Sequence, residues 1–375
     1  MAILQVLLVE DDEESRNQLV EDLPDIFGEF GVEAKIHPCG DFDEAKQRVA
    51  DPVLRYDMVV SDTYKGNAQN RDAQVLDLIE MYRGSKFCPL VVFSSSVKPE
   101  AIGDSAFVEW ADKGVKGNLE EAIGRVVGTG IPQLARSLHD ELDRAAGSFL
   151  WGFLEEKWNA LNRPNPISAA VLERIVRRRA AIQIGDLNPE QVDAGLETRD
   201  ASEYYIYPAF EQRPFNLGDV LRSKADENDW RVILTPHCHL FQQPNQDEPR
   251  AKHILVVRTV GPEEALGQKL ANARQADQQT QTKKLESWSR SPAQTGARPE
   301  DRHWYLPGFL DLPHAFCDFL LVESVPFQKV KDDFEKIATL STPYAEALQA
   351  SFTAYYSSVG LPTINVDSIR TMLAH

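Results

Sequence analysis

Cysteine is scarce in this chain: Cys39, Cys88, Cys238 and Cys317 are the four in 375 residues. They fit no disulfide framework for a chain of this length, which excludes the small disulfide-stapled classes. Zinc spacings of the C-x2-C or H-x3-H kind are absent too. Long apolar runs are also lacking. Segments such as Met58–Val60 and Leu90–Phe93 are strand-sized, against the roughly 20 residues of a membrane helix. No charged-then-apolar leader opens the sequence, so a cytoplasmic location is expected. Basic residues are outnumbered, 40 Lys and Arg against 58 Asp and Glu, for a net charge of −18. Phosphate contacts require clustered cations, so general attraction to nucleic acid is disfavoured. No helix-turn-helix with a convincing recognition helix is present to reverse that.

What is present is ordinary core material, 42% apolar residues, in a chain long enough for two or three domains. The acidic excess is uneven. Residues 1–128 carry 13 basic and 25 acidic side chains, a balance of −12, leaving −6 for the remainder. The same stretch contains five short apolar runs: Ile3–Val9, Val32–Ile36, Met58–Val60, Leu90–Phe93 and Phe107–Ala111. Helical patterns such as Ser15–Phe27 and Gln74–Tyr82 lie between several of them. Strands alternating with helices predict a parallel sheet covered on both faces, with functional groups at the carboxyl ends of the strands.

Those ends carry chemistry. Glu10, Asp11 and Asp12 follow the first run; Asp62 follows the third, in VVSDTYKG; Ser94 and Ser95 follow the fourth; Lys113 follows the fifth, in EWADKG. The set resembles the receiver domain of two-component response regulators. The resemblance implies an α/β, flavodoxin-like, doubly wound five-stranded sheet over residues 1–128, with Asp62 as phosphoacceptor. It implies Mg²⁺ held by Glu10, Asp11, Asp62 and the Tyr64 backbone carbonyl, with Asp12 as a neighbour. Ser94 becomes the switch hydroxyl, with small Ser95 after it. Lys113 becomes the phosphoryl-pairing lysine, preferred over Lys116 because it closely follows the strand and because Trp110 then falls at the aromatic switch position. Arg16 falls where many such domains carry an arginine. A sensor histidine kinase or phosphotransfer protein is the implied partner. A hard cation and a lysine suit this chemistry, because phosphoryl transfer brings more negative charge to a cluster of acids. Two features depart from the pattern. No proline follows Asp62 closely or follows Lys113, and Tyr64–Ala73 is longer and more polar than the common loop.

Residues 129–200 read as a helical linker or dimerisation region, leaving open a homodimer. One helix is predicted from Pro132 to about Leu161, with Leu134, Leu138, Leu142, Phe149, Leu150, Phe153 and Trp158 near a 3.6 period, and another from an N-cap at Ser168 through Ile184. The arginines 174, 177, 178 and 179 form the dense basic patch, read first as a solvated helix face.

Residues 201–375 are expected to form a β-rich effector or partner-binding domain, with strands at Trp230–Thr235, Ile254–Thr259 and Phe319–Val325 and a turn at Asn216–Val220. A stretch near 262–302 is expected to be helical over Pro262–Lys284 and a flexible loop over Ser287–Asp301. Helices are predicted for Gln328–Thr339 and Pro343–Val359. The layout is similar to SH3-like barrel domains attached to regulators, a likeness that transfers no catalytic residue. Output through binding a protein partner is the first expectation. The alternative is a receiver-regulated enzyme with a metal or Cys/His site around His237, Cys238 and His239, with His303, His314 and Cys317 further on. On a strand, His237 and His239 would share a face.

Overall fold

The computed structural model describes residues 3–51, 53–63, 79–84, 87–95, 97–100, 105–161, 168–185, 200–210, 213–241, 249–289 and 302–357. The chain divides into two compact units, Met1–Pro189 and Glu190–His375.

The first unit is built on β1 (Leu4–Val9), β2 (Ala34–Cys39), β3 (Met58–Ser61), β4 (Leu90–Ser94) and β5 (Val108–Asp112). All neighbours are parallel, in the order β2-β1-β3-β4-β5. Because helices cover both faces, the central strands are apolar throughout instead of alternating. Leu7 and Leu8, adjacent in β1, both lie within the core. On one face α1 (Glu13–Glu29) contributes Leu19, Leu23 and Phe27, and α4 (Asn118–Gly128) contributes Leu119, Ile123 and Val126. On the other, α2 (Phe42–Ala50) and α3, described over residues 79–84, supply Phe42, Ala45, Val49, Ile79 and Tyr82. This is the doubly wound sheet that the sequence predicts.

Past α4 the chain turns at Gly130, whose φ of 71° favours glycine, into a continuous helical run. It comprises α5 (Ile131–Phe149), a π turn (Leu150–Leu154) and α6 (Glu155–Leu161). The inner side of α5 meets the sheet domain. Pro132 is buried there, and Arg136 approaches the buried Asp57 carboxylate at 3.9 Å. Burial pushes the Asp57 carboxyl up. Leu134, Leu138 and Leu142 point away and are exposed. Helix α7 (Ala169–Gly185) packs on α5, and its arginines 174, 177, 178 and 179 are exposed, as expected of a solvated face.

The second unit is a seven-stranded sheet, order β10-β11-β9-β8-β7-β12-β6. Its strands are β6 (Tyr205–Ile206), β7 (Asp219–Ser223), β8 (Trp230–Ile233), β9 (His253–Val260), β10 (His303–Leu306), β11 (Ala315–Pro326) and β12 (Phe334–Leu340), all paired antiparallel. The sheet curls. The Tyr205 hydroxyl of edge strand β6 donates to the Pro307 carbonyl just beyond the opposite edge at 2.7 Å. A bulge between Cys317 and Val322 lets long β11 turn against β9. Inside the curl lie Trp230, Val257, Cys317 and Phe319, closed by the helix Tyr344–Ser357 through Leu348.

Several expectations are corrected by the structure. Gln328–Thr339 is not one helix: Phe327–Asp333 is helical and Phe334–Leu340 is β12. Its Phe334, Ala338 and Leu340 are buried, and pairing with β7 sets the outcome. His237 and His239 do not sit on a strand. They lie on a single helical turn, His237–Leu240, that follows Pro236. Pro262–Lys284 is helical but broken into Pro262–Leu266, Gln268–Arg274 and Gln278–Ser289. Of the predicted loop Ser287–Asp301, residues 287–289 instead end that third helix, and residues 290–301, like Tyr64–Ala73, lie outside the described residues. Among the described residues no helix is long and apolar enough to cross a membrane.

Candidate functional site

The carboxyl edge of the parallel sheet is pinned by backbone bonds that continue past the strands. The N–H of Glu10 donates to the Cys39 carbonyl at 3.1 Å, that of Asp62 to Val9 at 2.8 Å and that of Lys113 to Ser94 at 3.0 Å. Each bond ties the residue just after one strand to a neighbouring strand. The side chains that follow β1, β3 and β5 therefore converge at the crevice where strand order reverses, the binding location in open α/β sheets.

There Glu10, Asp11 and Asp62 bring one carboxylate oxygen each to within 4.8 Å of one another. Among the described residues this is the one group of three or more His, Cys, Asp or Glu so placed. Glu10 is 1% exposed, an uncommon burial for an acid without a counter-charge. Lys113 supplies the charge. Its Nζ donates to Glu10 Oε2 at 2.6 Å and to Asp62 Oδ2 at 2.8 Å, and lies 5.5 Å from the Phe93 ring centre. Burial alone would lower the lysine's pKa, yet its hydrogen bonds to Asp62 and Glu10 hold it above the ordinary value. Lys116 is exposed.

The surrounding residues orient the cluster. Asp12 turns outward to cap α1, accepting from the Ser15 N–H at 2.8 Å, and that bond draws its pKa down. Arg16, one turn further along α1, donates from Nη1 to the Glu10 carbonyl at 2.9 Å. It lies against Gly40, where a Cβ would come within 2.7 Å of Nη1. Ser94 is buried at the end of β4. Its hydroxyl lies 2.7 Å from that of Thr63, whose N–H donates to Asp62 Oδ1 at 2.6 Å. Thr63 is a residue that sequence reasoning missed; its position directly after Asp62 was the available signal. Trp110 is half-buried on β5 and packs against the core on the α2 and α3 side. Tyr64 lies outside the described residues.

The His and Cys residues of the second unit do not converge. His237 Nδ1 pairs with Asn216 Oδ1 at 2.5 Å, whereas on a helical turn His239 points elsewhere. His303 faces Asp318 at 3.8 Å, and His314 Nδ1 lies 2.7 Å from the Tyr305 hydroxyl. Cys317 is fully buried, which pushes its thiol far up, and inertness follows.

No family model matches the chain, and no curated protein matches it. Among solved structures, the receiver domain of the hybrid histidine kinase CckA matches 32% of this chain and 98% of its own, at 18% identity and a TM-score of 0.23. A 3-dehydroquinate dehydratase-like protein from Bifidobacterium longum matches 36% and 98%, at 13% identity and 0.24. The two differ in described activity, so the function is argued from the side chains.

Proposed function

We propose that the first unit is a phosphoacceptor receiver in which Asp62 takes a phosphoryl group from a histidine kinase or phosphotransfer protein. The observation that carries this reading is the three-carboxylate cluster bridged by Lys113 at the strand ends. In the reaction the donor's phosphorus–nitrogen bond breaks as an Asp62 oxygen forms a bond to phosphorus. The departing imidazole keeps the electron pair and takes up a proton. Glu10, Asp11 and Asp62 offer the hard oxygen donors that suit Mg²⁺. Bound there, the ion would offset charge on the transferring group. Lys113, already between two of the carboxylates, contributes the second positive charge and orients the Asp62 oxygen. Ser94 contacts the phosphoryl oxygens and Trp110 follows its movement.

Residues 201–375, within the second unit, are then the output module, recognising a protein partner through the curled β sheet, with residues 129–200 as the linker. Incubation of the full-length protein with labelled acetyl phosphate and Mg²⁺ should label wild type and leave Asp62→Asn unlabelled. Label persisting in that variant would refute the assignment.

A further inference from the structure

The bond between Thr63 and Ser94 is not accounted for by the roles assigned above. Thr63 Oγ1 lies 2.7 Å from Ser94 Oγ and 3.3 Å from Asp62 Oδ1, the oxygen that already accepts the Thr63 N–H at 2.6 Å. A hydroxyl donates one proton and accepts at its lone pairs. In the arrangement that carries the proposal, Thr63 donates to the carboxylate and accepts from Ser94. The relay ends on the negative charge of Asp62, and charged acceptors make the stronger bonds and polarise those behind them. Ser94 is 2% exposed, so its hydroxyl needs a protein partner in every state.

Resting on the proposed phosphoacceptor role of Asp62, we propose that Thr63 is a positioning residue, a side-chain latch that holds the Ser94 hydroxyl in its resting place until Asp62 is phosphorylated. Phosphorylation converts the carboxylate to an acyl phosphate and removes the charge on which the relay ends. The phosphoryl oxygens carry nearly two negative charges, and they offer Ser94 a stronger acceptor than Thr63. The latch then opens. Its strength sets the balance between resting and switched forms, and a neutral hydroxyl pair corresponds to about 2- to 10-fold in that balance.

The test is a titration of the full-length protein with beryllofluoride and Mg²⁺, read by tryptophan fluorescence, with Trp110→Phe identifying the reporting residue. Thr63→Val removes the hydroxyl and should lower the apparent dissociation constant by about 2- to 10-fold. Thr63→Ser keeps the hydroxyl and should titrate like wild type. In a Ser94→Ala background, where the latch has no partner, the effect of Thr63→Val should vanish. An unchanged or weaker affinity in Thr63→Val overturns the latch, as does an effect that survives undiminished in the Ser94→Ala background. A wild-type protein that does not bind beryllofluoride overturns the phosphoacceptor reading and the latch with it, so the two failures are distinguishable.

Discussion

Replacing Lys113 with Met removes the positive charge from the acidic cluster while keeping a flexible side chain of similar length. Lys113 is a quarter exposed, Asp62 18% and Glu10 2% by side chain. Breaking a fully buried pair by removing one partner costs about 3–5 kcal/mol, because the remaining charge is stranded, and an exposed pair is worth about 0–1 kcal/mol. The partly shielded lysine with a fully shielded acceptor falls between, at about 2–3 kcal/mol. For a unit of this size each kcal/mol shifts the melting temperature by about 2–4 °C, so Lys113→Met should melt roughly 5–10 °C below wild type without divalent cations. Three carboxylates without their lysine form a more negative site, so added Mg²⁺ should raise the melting point of the variant more than that of wild type. Circular dichroism melts with and without Mg²⁺ read both effects, with Lys116→Met as the control. Variant and wild type melting within about 1 °C, or an equal loss in Lys116→Met, would refute the counter-ion argument.

Asp11→Asn, which removes one hard donor and one charge, should weaken Mg²⁺ binding by roughly tenfold, about 1.4 kcal/mol, measured calorimetrically. In the second unit, Asp318 sits 1% exposed between Arg302 and the Leu320 N–H. Burial alone would raise its carboxyl, but the Arg302 guanidinium and Leu320 N–H outweigh it and hold the pKa below the ordinary value. Its stabilisation is therefore present above the unfolded carboxylate range and lost as pH falls through the lower folded value. Asp318→Asn should be less stable than wild type at neutral pH, with the gap closing in acid; a gap independent of pH would contradict the sign. Gly218, at φ 82°, leaves 2.7 Å between an added Cβ and that of Ala345. Gly218→Ala should cost about 2 kcal/mol in chemical denaturation. Phe319→Ala empties a fully buried site facing the rings of Phe352 and Tyr355 and should cost about 3–5 kcal/mol by the same measurement.

The parallel sheet was legible in sequence because strands buried on both faces must be apolar along their whole length, and the acids, serines and lysine that end them stand out against that background. Position relative to the strand end decides which side chain enters the crevice, which sets Lys113 and not Lys116 beside the acids and turns Asp12 outward. The place of Thr63 at the site was signalled by its position directly after Asp62, but its pairing with Ser94 was not legible, since that contact depends on β3 and β4 lying side by side. In the second unit the failures share a cause. Phe334–Leu340 carries charges that suit either a helix face or an exposed strand face, and only its partner β7, distant in sequence, selects between them. His237 and His239 alternate as a strand would, but Pro236 and the turn that follows give them a helical spacing.

The π turn at Leu150–Leu154 fits one more residue into its turn than an α-helix does. An α-helix advances about 100° per residue, so the side chains of α6 are out of phase with those of α5. The exposed leucines 134, 138 and 142 and the exposed Trp158 consequently mark two separate bearings around one rod. Deleting a single residue in that turn would restore regular α-helical bonding there yet leave the two bearings nearly unchanged, because the wider turn already absorbs the extra residue.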